Sequence, residues 1–99
     1  MFENIPFTQR DGDRSPADIT VLALSTCGFC RSALEFLDRN RISYRFVHVD
    51  TLPPEVKGSL KGEFAERFNE KLVYPTMILN DSDYLQGFVQ ASWERTLGL

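Results

Sequence analysis

Two cysteines separated by two residues are the most chemically reactive feature of the sequence. Cys27 and Cys30 stand in the motif Cys27-Gly28-Phe29-Cys30, between a short apolar stretch and a helical pattern. In the first turn of a helix, this spacing brings the two sulfurs within bonding distance, and the unpaired amide protons favour negative charge on the leading sulfur. Cysteines in such positions have pKa values between about 3.5 and 7.5 instead of about 8.5. The sequence therefore predicts Cys27 as a nucleophilic thiolate.

The second cysteine is predicted to have a different role. Cys30 continues the apolar helix face of Leu34 and Leu37, so we expect it to point inward and stay protonated until a mixed disulfide forms beside it. Cys27 would attack a disulfide and Cys30 would then release the product. Phe29 is expected to be exposed at the tip, either as a plain surface aromatic or as a contact for the disulfide partner.

Zinc binding is the main alternative chemistry for a C-x-x-C motif. Structural zinc normally takes four Cys or His ligands, whereas this chain has two cysteines and one histidine, His48. We therefore predict no metal site and interpret His48 as a packed or partly exposed strand residue rather than a base. Two cysteines are also too few for a disulfide framework.

A βαβ unit is predicted around the motif. Residues 19–24 are apolar and β-branched at their start, as expected for a strand buried on both faces. Ser25 or Thr26 then caps a helix that ends near Asn40. Residues 43–50 form the next strand, and the intervening helix makes a parallel crossover the natural connection.

The second half of the chain predicts a further helix, a hairpin and a closing helix. Pro53 and Pro54 suit the start of a helix, while Gly58 and Gly62 predict a bend or break within it. The remaining elements are strands at 76–79 and 84–86 and a helix at 88–97 that buries Val89, Trp93 and Leu97. The order β-α-β-α-β-β-α predicts an α/β fold with a central four-stranded mixed sheet flanked by helices.

Composition narrows the class of protein. The 99 residues are 42% hydrophobic and 25% charged, close to the averages of globular proteins, and suit one domain. The net charge of -3 gives no basic excess for nucleic acid or anionic membrane. Residues 1–18 read as an arm and linker without a secretory signal, and 19–99 as the domain. We therefore expect a cytoplasmic monomer.

Together these features resemble the glutaredoxin family of the thioredoxin-like superfamily. The resemblance covers residues 19 to about 97 and includes Val73-Tyr74-Pro75-Thr76 before the third strand and Gln86-Gly87-Phe88 after the fourth. It implies a cis Tyr74–Pro75 bond against the redox cysteines, with the Tyr74 backbone pairing with the substrate backbone. The Tyr74 ring is expected either to offer an aromatic surface to the partner or simply to face solvent. The expected substrate-binding residues are Phe29, Val73, Tyr74, Pro75, Gln86, Gly87 and Phe88.

Three departures from the family concern glutathione and iron–sulfur clusters. Leu24 stands where glutaredoxins usually carry a lysine, and Val89 and Gln90 stand where they carry acids, so we expect weak glutathione recognition. Gly87-Phe88 instead resembles the glutaredoxin-like electron donors of ribonucleotide reductase, which thioredoxin reductase reduces. The third departure is Gly28-Phe29, where dithiol glutaredoxins commonly have Pro-Tyr. Cys-Gly-Phe resembles cluster-carrying monothiol glutaredoxins, but Cys30 replaces their serine and the lysine that they use is also missing.

The resemblance implies a dithiol thiol–disulfide oxidoreductase acting on protein or small-molecule disulfides. It needs no tightly bound cofactor, and glutathione remains a candidate co-substrate. Its expected partners are a disulfide-containing protein and either glutathione or thioredoxin reductase as electron source. Two alternatives stay open: a glutathione-dependent iron–sulfur cluster carrier, and a non-catalytic redox-sensing module.

Overall fold

A mixed sheet with helices on both faces forms the protein in the computed structural model, which describes residues 2–99. The strand order is β1-β3-β2-β4-β5, with β2 and β3 parallel and the other pairs antiparallel. The strands are β1 (Thr8–Arg10), β2 (Ile19–Ala23), β3 (Tyr44–His48), β4 (Thr76–Leu79) and β5 (Asp83–Gln86), and the helices are α1 (Gly28–Arg39), α2 (Pro54–Phe68) and α3 (Gln90–Leu97).

The central strand β2 is buried on both faces, as its apolar sequence predicted. Val21 and Ala23 face one hydrophobic cluster, whereas Leu22 between them faces the other. Helices α1 and α3 pack in the first cluster, and α2 packs in the second. The α/β, thioredoxin-like architecture expected from the sequence is therefore confirmed.

The sheet has five strands rather than the expected four, because the N-terminal arm supplies one. Thr8 to Arg10 pair antiparallel with Tyr44 to Phe46 of β3. The apolar residues of the arm explain the docking, since Phe2 is buried in the second cluster and Ile5 and Phe7 pack against it. Composition alone described the segment as irregular, because three exposed residues carry little strand signal.

A polar cluster joins the arm to the rest of the fold. Arg10 donates to an Asp38 carboxylate oxygen at 2.7 Å and to the Tyr44 hydroxyl at 3.0 Å, while that hydroxyl donates to Asp38 at 2.7 Å. The guanidinium also lies over the Phe46 ring at 4.7 Å. Burial, followed by the hydrogen bond to Asp38, raises the pKa of Tyr44, so its phenol stays protonated as the donor. The arm is therefore held at the side of α1 and β3.

Helix α2 runs without the interruption expected at Gly58 and Gly62. Leu60 and Phe64 in its middle are fully buried, and the half-buried Phe68 follows them at the same four-residue spacing. Each glycine costs about 1 kcal/mol relative to alanine, and burying the two central side chains offsets that cost. The helix then ends at Asn69, which adopts a left-handed conformation.

Helix α3 begins at Gln90, two residues later than the sequence predicted. Val89 is its N-cap residue and is 62% exposed, so the expectation that it would be buried was wrong. Trp93 and Leu97 are buried as expected. Within residues 2–99, no helix is both long and apolar enough to cross a membrane.

Candidate active site

The motif lies where β2 ends and α1 begins. Cys27, rather than Ser25 or Thr26, is the N-cap residue of α1, and its sulfur accepts a hydrogen bond from the Cys30 amide at 3.2 Å. The first turn of α1 contains no acidic side chain. The half-buried Cys27 sulfur thus accepts an amide hydrogen bond at the positive end of the helix dipole.

Cys30 occupies a contrasting environment. Its side chain is only 1% exposed and lies in the first hydrophobic cluster, and its sulfur accepts a hydrogen bond from the Leu24 amide at 3.5 Å. Burial, followed by the interaction with Cys27, raises the pKa of the Cys30 thiol to about 12. The pair therefore combines a partly accessible sulfur with a buried, protonated one, three residues apart.

The proline loop lies beside the motif because of the sheet register. Thr76 at the start of β4 is opposite Leu22 near the end of β2, so the residues just before Thr76 lie next to those leading to Cys27. The Tyr74–Pro75 peptide bond is cis, and Pro75 is buried. The structure thus brings the loop to the same end of the sheet as the two cysteines.

Hydrogen bonds connect the proline loop to the glycine segment after β5. The Gly87 amide donates to the Pro75 carbonyl at 2.7 Å, and the Trp93 indole donates to the Gly87 carbonyl at 3.0 Å. Gly87 has a φ of 79°, a left-handed conformation that favours glycine. The Gln86 amide group bonds to the Lys71 carbonyl at 2.8 Å, so its side chain is engaged within the protein.

Phe88 contributes mainly to packing. Its half-buried ring lies 5.6 Å from Phe36 and 5.0 Å from Trp93, centroid to centroid. By contrast, Phe29 is 70% exposed and Val73 is 42% exposed. Of the expected substrate contacts, these two apolar side chains are the more accessible.

Tyr74 is partly buried rather than simply facing solvent. Its ring packs against both hydrophobic clusters, and its hydroxyl is buried. Burial, followed by the nearby Asp50 and Cys30, raises the pKa of the phenol. The side chain therefore belongs to the interior of the site.

Ser25 and Asp50 form a contact that the sequence reasoning missed. Both the amide and the hydroxyl of Ser25 donate to the Asp50 carboxylate, and these bonds lower its pKa. Their meeting follows from topology: Ser25 follows β2 and Asp50 follows β3, and the carboxyl ends of parallel strands are adjacent. The predicted parallel pairing of these two strands places the residues that follow them side by side, and this would have predicted the contact between Ser25 and Asp50.

A cavity of about 240 Å³ opens beside Cys27. Arg31 and Glu35 of α1, His48 of β3 and Arg10 of the arm line it. His48 is half-buried against the Phe46 ring, with centroids 5.4 Å apart, consistent with a packed strand residue. A cavity of about 490 Å³ near Ile19 contains no cysteine, so the thiol chemistry identifies the smaller cavity as the relevant one. Residues 2–99 bring together no group of three or more His, Cys, Asp or Glu that could hold a metal.

Fold and site together define a thioredoxin-like protein with a paired-cysteine centre. The glutaredoxin family model matches residues 19–82, more than half of the chain, so the protein belongs to the glutaredoxin family. Family and motif together suggest a thiol oxidoreductase.

Solved structures share this fold. A glutaredoxin from Methanosarcina mazei Go1 is 22% identical over 94% of this chain and 88% of its own, with a TM-score of 0.80. Methanoredoxin from Methanosarcina acetivorans is 27% identical over 86% of this chain and 88% of its own, with a TM-score of 0.77. A dithiolic glutaredoxin from Trypanosoma brucei brucei is 20% identical over 83% of this chain and 80% of its own, with a TM-score of 0.63. No curated protein matches the chain significantly.

Proposed function

We propose that the protein is a dithiol thiol–disulfide oxidoreductase that reduces disulfides in proteins or small molecules. The contrast between Cys27 and Cys30 carries this proposal. Cys27 is partly accessible and its sulfur accepts a hydrogen bond from an amide, whereas Cys30 is buried and the pKa of its thiol is raised. Such a difference suits one sulfur for attack and the other for resolution.

The exchange proceeds in two balanced steps. The Cys27 thiolate attacks one sulfur of the substrate disulfide, and the other sulfur leaves with the bonding electron pair and takes a proton from solvent. Cys30 then loses its proton and attacks Cys27, which releases the second substrate thiolate and leaves a Cys27–Cys30 disulfide. The two electrons come from the thiols, so the chemistry requires no tightly bound cofactor.

The proposed docking surface surrounds Cys27. Phe29 and Val73 offer exposed apolar area, and the backbone amide and carbonyl of Tyr74 make no hydrogen bond within residues 2–99. An extended substrate segment can pair with those backbone groups, as a strand adds to a sheet edge. Pro75, Gln86, Gly87 and Phe88 complete the proposed contact region by shaping the adjacent loop.

Thioredoxin reductase is the proposed electron source, with glutathione as a weaker co-substrate. Leu24 and Val89 offer no charge to the ends of glutathione, and Gln90 is neutral. Charge-assisted hydrogen bonds contribute about 1.5–3 kcal/mol each, so their absence lowers affinity by tenfold or more.

A coupled assay tests both parts of this proposal. NADPH consumption is measured with a disulfide substrate and either thioredoxin reductase or glutathione plus glutathione reductase. We expect turnover with thioredoxin reductase at several times the rate seen with glutathione, and none with Cys27→Ser. Failure to reduce the substrate after chemical reduction of the protein would contradict the proposed activity, whereas faster turnover with glutathione would contradict only the proposed reductant.

A further inference from the structure

Tyr74 carries a buried hydroxyl with no hydrogen-bond partner. Within residues 2–99 it is the one buried side-chain nitrogen or oxygen in this condition. Other buried polar groups are paired, since the Tyr44 hydroxyl donates to Asp38 and the Trp93 indole donates to the Gly87 carbonyl. An unpaired buried hydroxyl opposes folding, because it loses water without gaining a partner. Its presence next to a reactive site therefore points to a role during the reaction rather than in the resting fold.

The position of Tyr74 places that hydroxyl inside the site. The ring packs against the cluster that contains Cys30 and also against the one that Leu24 contacts. The register of β4 against β2 puts the residues before Thr76 next to the segment that leads to Cys27. The charges of Asp50 and Cys30 add to the effect of burial in raising the pKa of the phenol, in line with the packing of the ring against the cluster that contains Cys30.

The Cys30 sulfur needs hydrogen-bond donors when it becomes a thiolate, and the described residues of the resting structure supply a single one. The Leu24 amide, at 3.5 Å, is the one donor from which its sulfur accepts a hydrogen bond within residues 2–99. Burial and the neighbouring Cys27 and Asp50 all oppose negative charge at this sulfur. The second step of disulfide exchange nevertheless requires Cys30 as a thiolate. A second hydrogen-bond donor would therefore stabilise the Cys30 thiolate, whose negative charge the surrounding groups disfavour.

Asp50 is a less suitable partner for the phenol. Its carboxylate is exposed, and both of its oxygens accept hydrogen bonds from Ser25. Its charge is constant during the exchange, whereas Cys30 gains charge. The raised pKa of Tyr74 keeps the hydroxyl protonated, so it remains a donor at neutral pH.

We propose that the Tyr74 hydroxyl donates a hydrogen bond to the Cys30 sulfur when that sulfur becomes a thiolate, and so accelerates the second step of disulfide exchange. This inference rests on the proposed function. In the assisted step, a bond forms between Cys30 and Cys27 while the bond between Cys27 and the substrate sulfur breaks. The substrate sulfur leaves with the electron pair and is protonated by solvent, and Tyr74 keeps its own proton throughout.

The two steps are measured separately with 5,5′-dithiobis(2-nitrobenzoic acid), because each step releases one coloured thiolate. Tyr74→Phe removes the hydroxyl and keeps the ring. Tyr84→Phe is the matched control, since Tyr84 packs against Phe64 and Phe68 on α2. In Tyr74→Phe, we expect the first release within twofold of the wild-type rate and the second slowed about tenfold, the size expected of one hydrogen bond to a charged group. Both releases should be unchanged in Tyr84→Phe.

Stability measurements complete the test. Because the hydroxyl is unpaired in the resting fold, Tyr74→Phe should unfold at the same or a higher urea concentration than the wild type. An unchanged second release, equal slowing of both releases, or a clear loss of stability would overturn the inference. Absence of the first release in the wild type would instead refute the proposed function, and with it the basis for assigning Tyr74 a role.

Discussion

The backbone amide of Cys30 donates a hydrogen bond to the sulfur of Cys27 across 3.2 Å, so the residue proposed to resolve the mixed disulfide also supports the one proposed to attack. The sulfur of Cys30 meanwhile lies in the apolar interior of the sheet and helix interface. One residue thus contributes its main chain to the first step of the proposed exchange and its side chain to the second.

Serine substitutions should separate these two contributions. Cys27→Ser is expected to abolish disulfide reduction, because the partly accessible sulfur proposed as the nucleophile is lost. Cys30→Ser is expected to leave the first attack within a fewfold of normal and to accumulate a mixed disulfide at Cys27. Mass spectrometry of the unreduced protein would show the adduct. Retention of most activity by Cys27→Ser, or an adduct at Cys30, would contradict these roles.

Unfolding stability should fall at alkaline pH through Cys30. Burial raises the pKa of the Cys30 thiol from its ordinary value of 9.0 to about 12 in the folded state, so the folded state holds this proton more tightly. The resulting stability is complete below about pH 9 and is lost as the pH rises toward 12. Urea unfolding at pH 7 and 9.5 should show a smaller decrease for Cys30→Ala than for the wild type. An equal decrease in both proteins would exclude this cause.

Removing Arg10 should loosen the arm. Arg10→Ala deletes an ion pair with Asp38, a hydrogen bond to the Tyr44 hydroxyl and the contact with the Phe46 ring, so we expect a loss of about 1–2 kcal/mol. Arg41→Ala provides the control, because its ion pair with Asp13 is about 70% exposed on both sides and should be worth less than about 0.5 kcal/mol. Urea unfolding of the two variants tests the ranking, and equal losses would contradict it.

Alanine should destabilise the protein at Gly12 and stabilise it at Gly58 and Gly62. A Cβ at Gly12 would overlap the Arg41 carbonyl, and the backbone there cannot move freely, so we expect Gly12→Ala to destabilise the protein by about 1–3 kcal/mol. At Gly58 and Gly62 a Cβ would meet no atom within 4 Å, so alanine there should stabilise α2 by about 0.5–1 kcal/mol each. Thermal unfolding tests the signs, and destabilisation at either helix position would be the contrary result.

Phe29 allows a test of substrate class. Its ring is 70% exposed, so Phe29→Ala should change the unfolding free energy by less than about 0.5 kcal/mol. If the ring contacts protein substrates, reduction of a folded disulfide protein should slow severalfold while reduction of a small aromatic disulfide stays constant. Equal rates for the protein substrate would favour a plain surface aromatic.

Much of the fold follows from short-range patterns in the sequence. The apolar run in β2 reflects its burial in the sheet, and the three- and four-residue spacing of Cys30, Leu34 and Leu37 reflects the buried face of α1. Both patterns lie within short stretches of the chain. The βαβ unit and the position of the cysteines could be predicted for that reason.

Features that depend on distant contacts could not be predicted in the same way. The three-residue β1 forms because it pairs with the edge of β3 and because Phe2 is buried in the second cluster. Neither contact can be inferred from the composition of the arm. The inward orientation of the Tyr74 ring likewise depends on space between two clusters built from the whole chain. Val89 followed helical periodicity in the sequence but stands before the helix, where that periodicity no longer determines burial.

The docked arm also covers what would otherwise be an open edge of the sheet. Without β1, strand β3 would present unpaired amides and carbonyls along Tyr44 to Phe46, and such an edge is a template for aggregation. With β1 in place, the outermost strand is three residues long and all three side chains are exposed and polar. The segment that carries Arg10 therefore also blocks the addition of a further strand at the edge of β3.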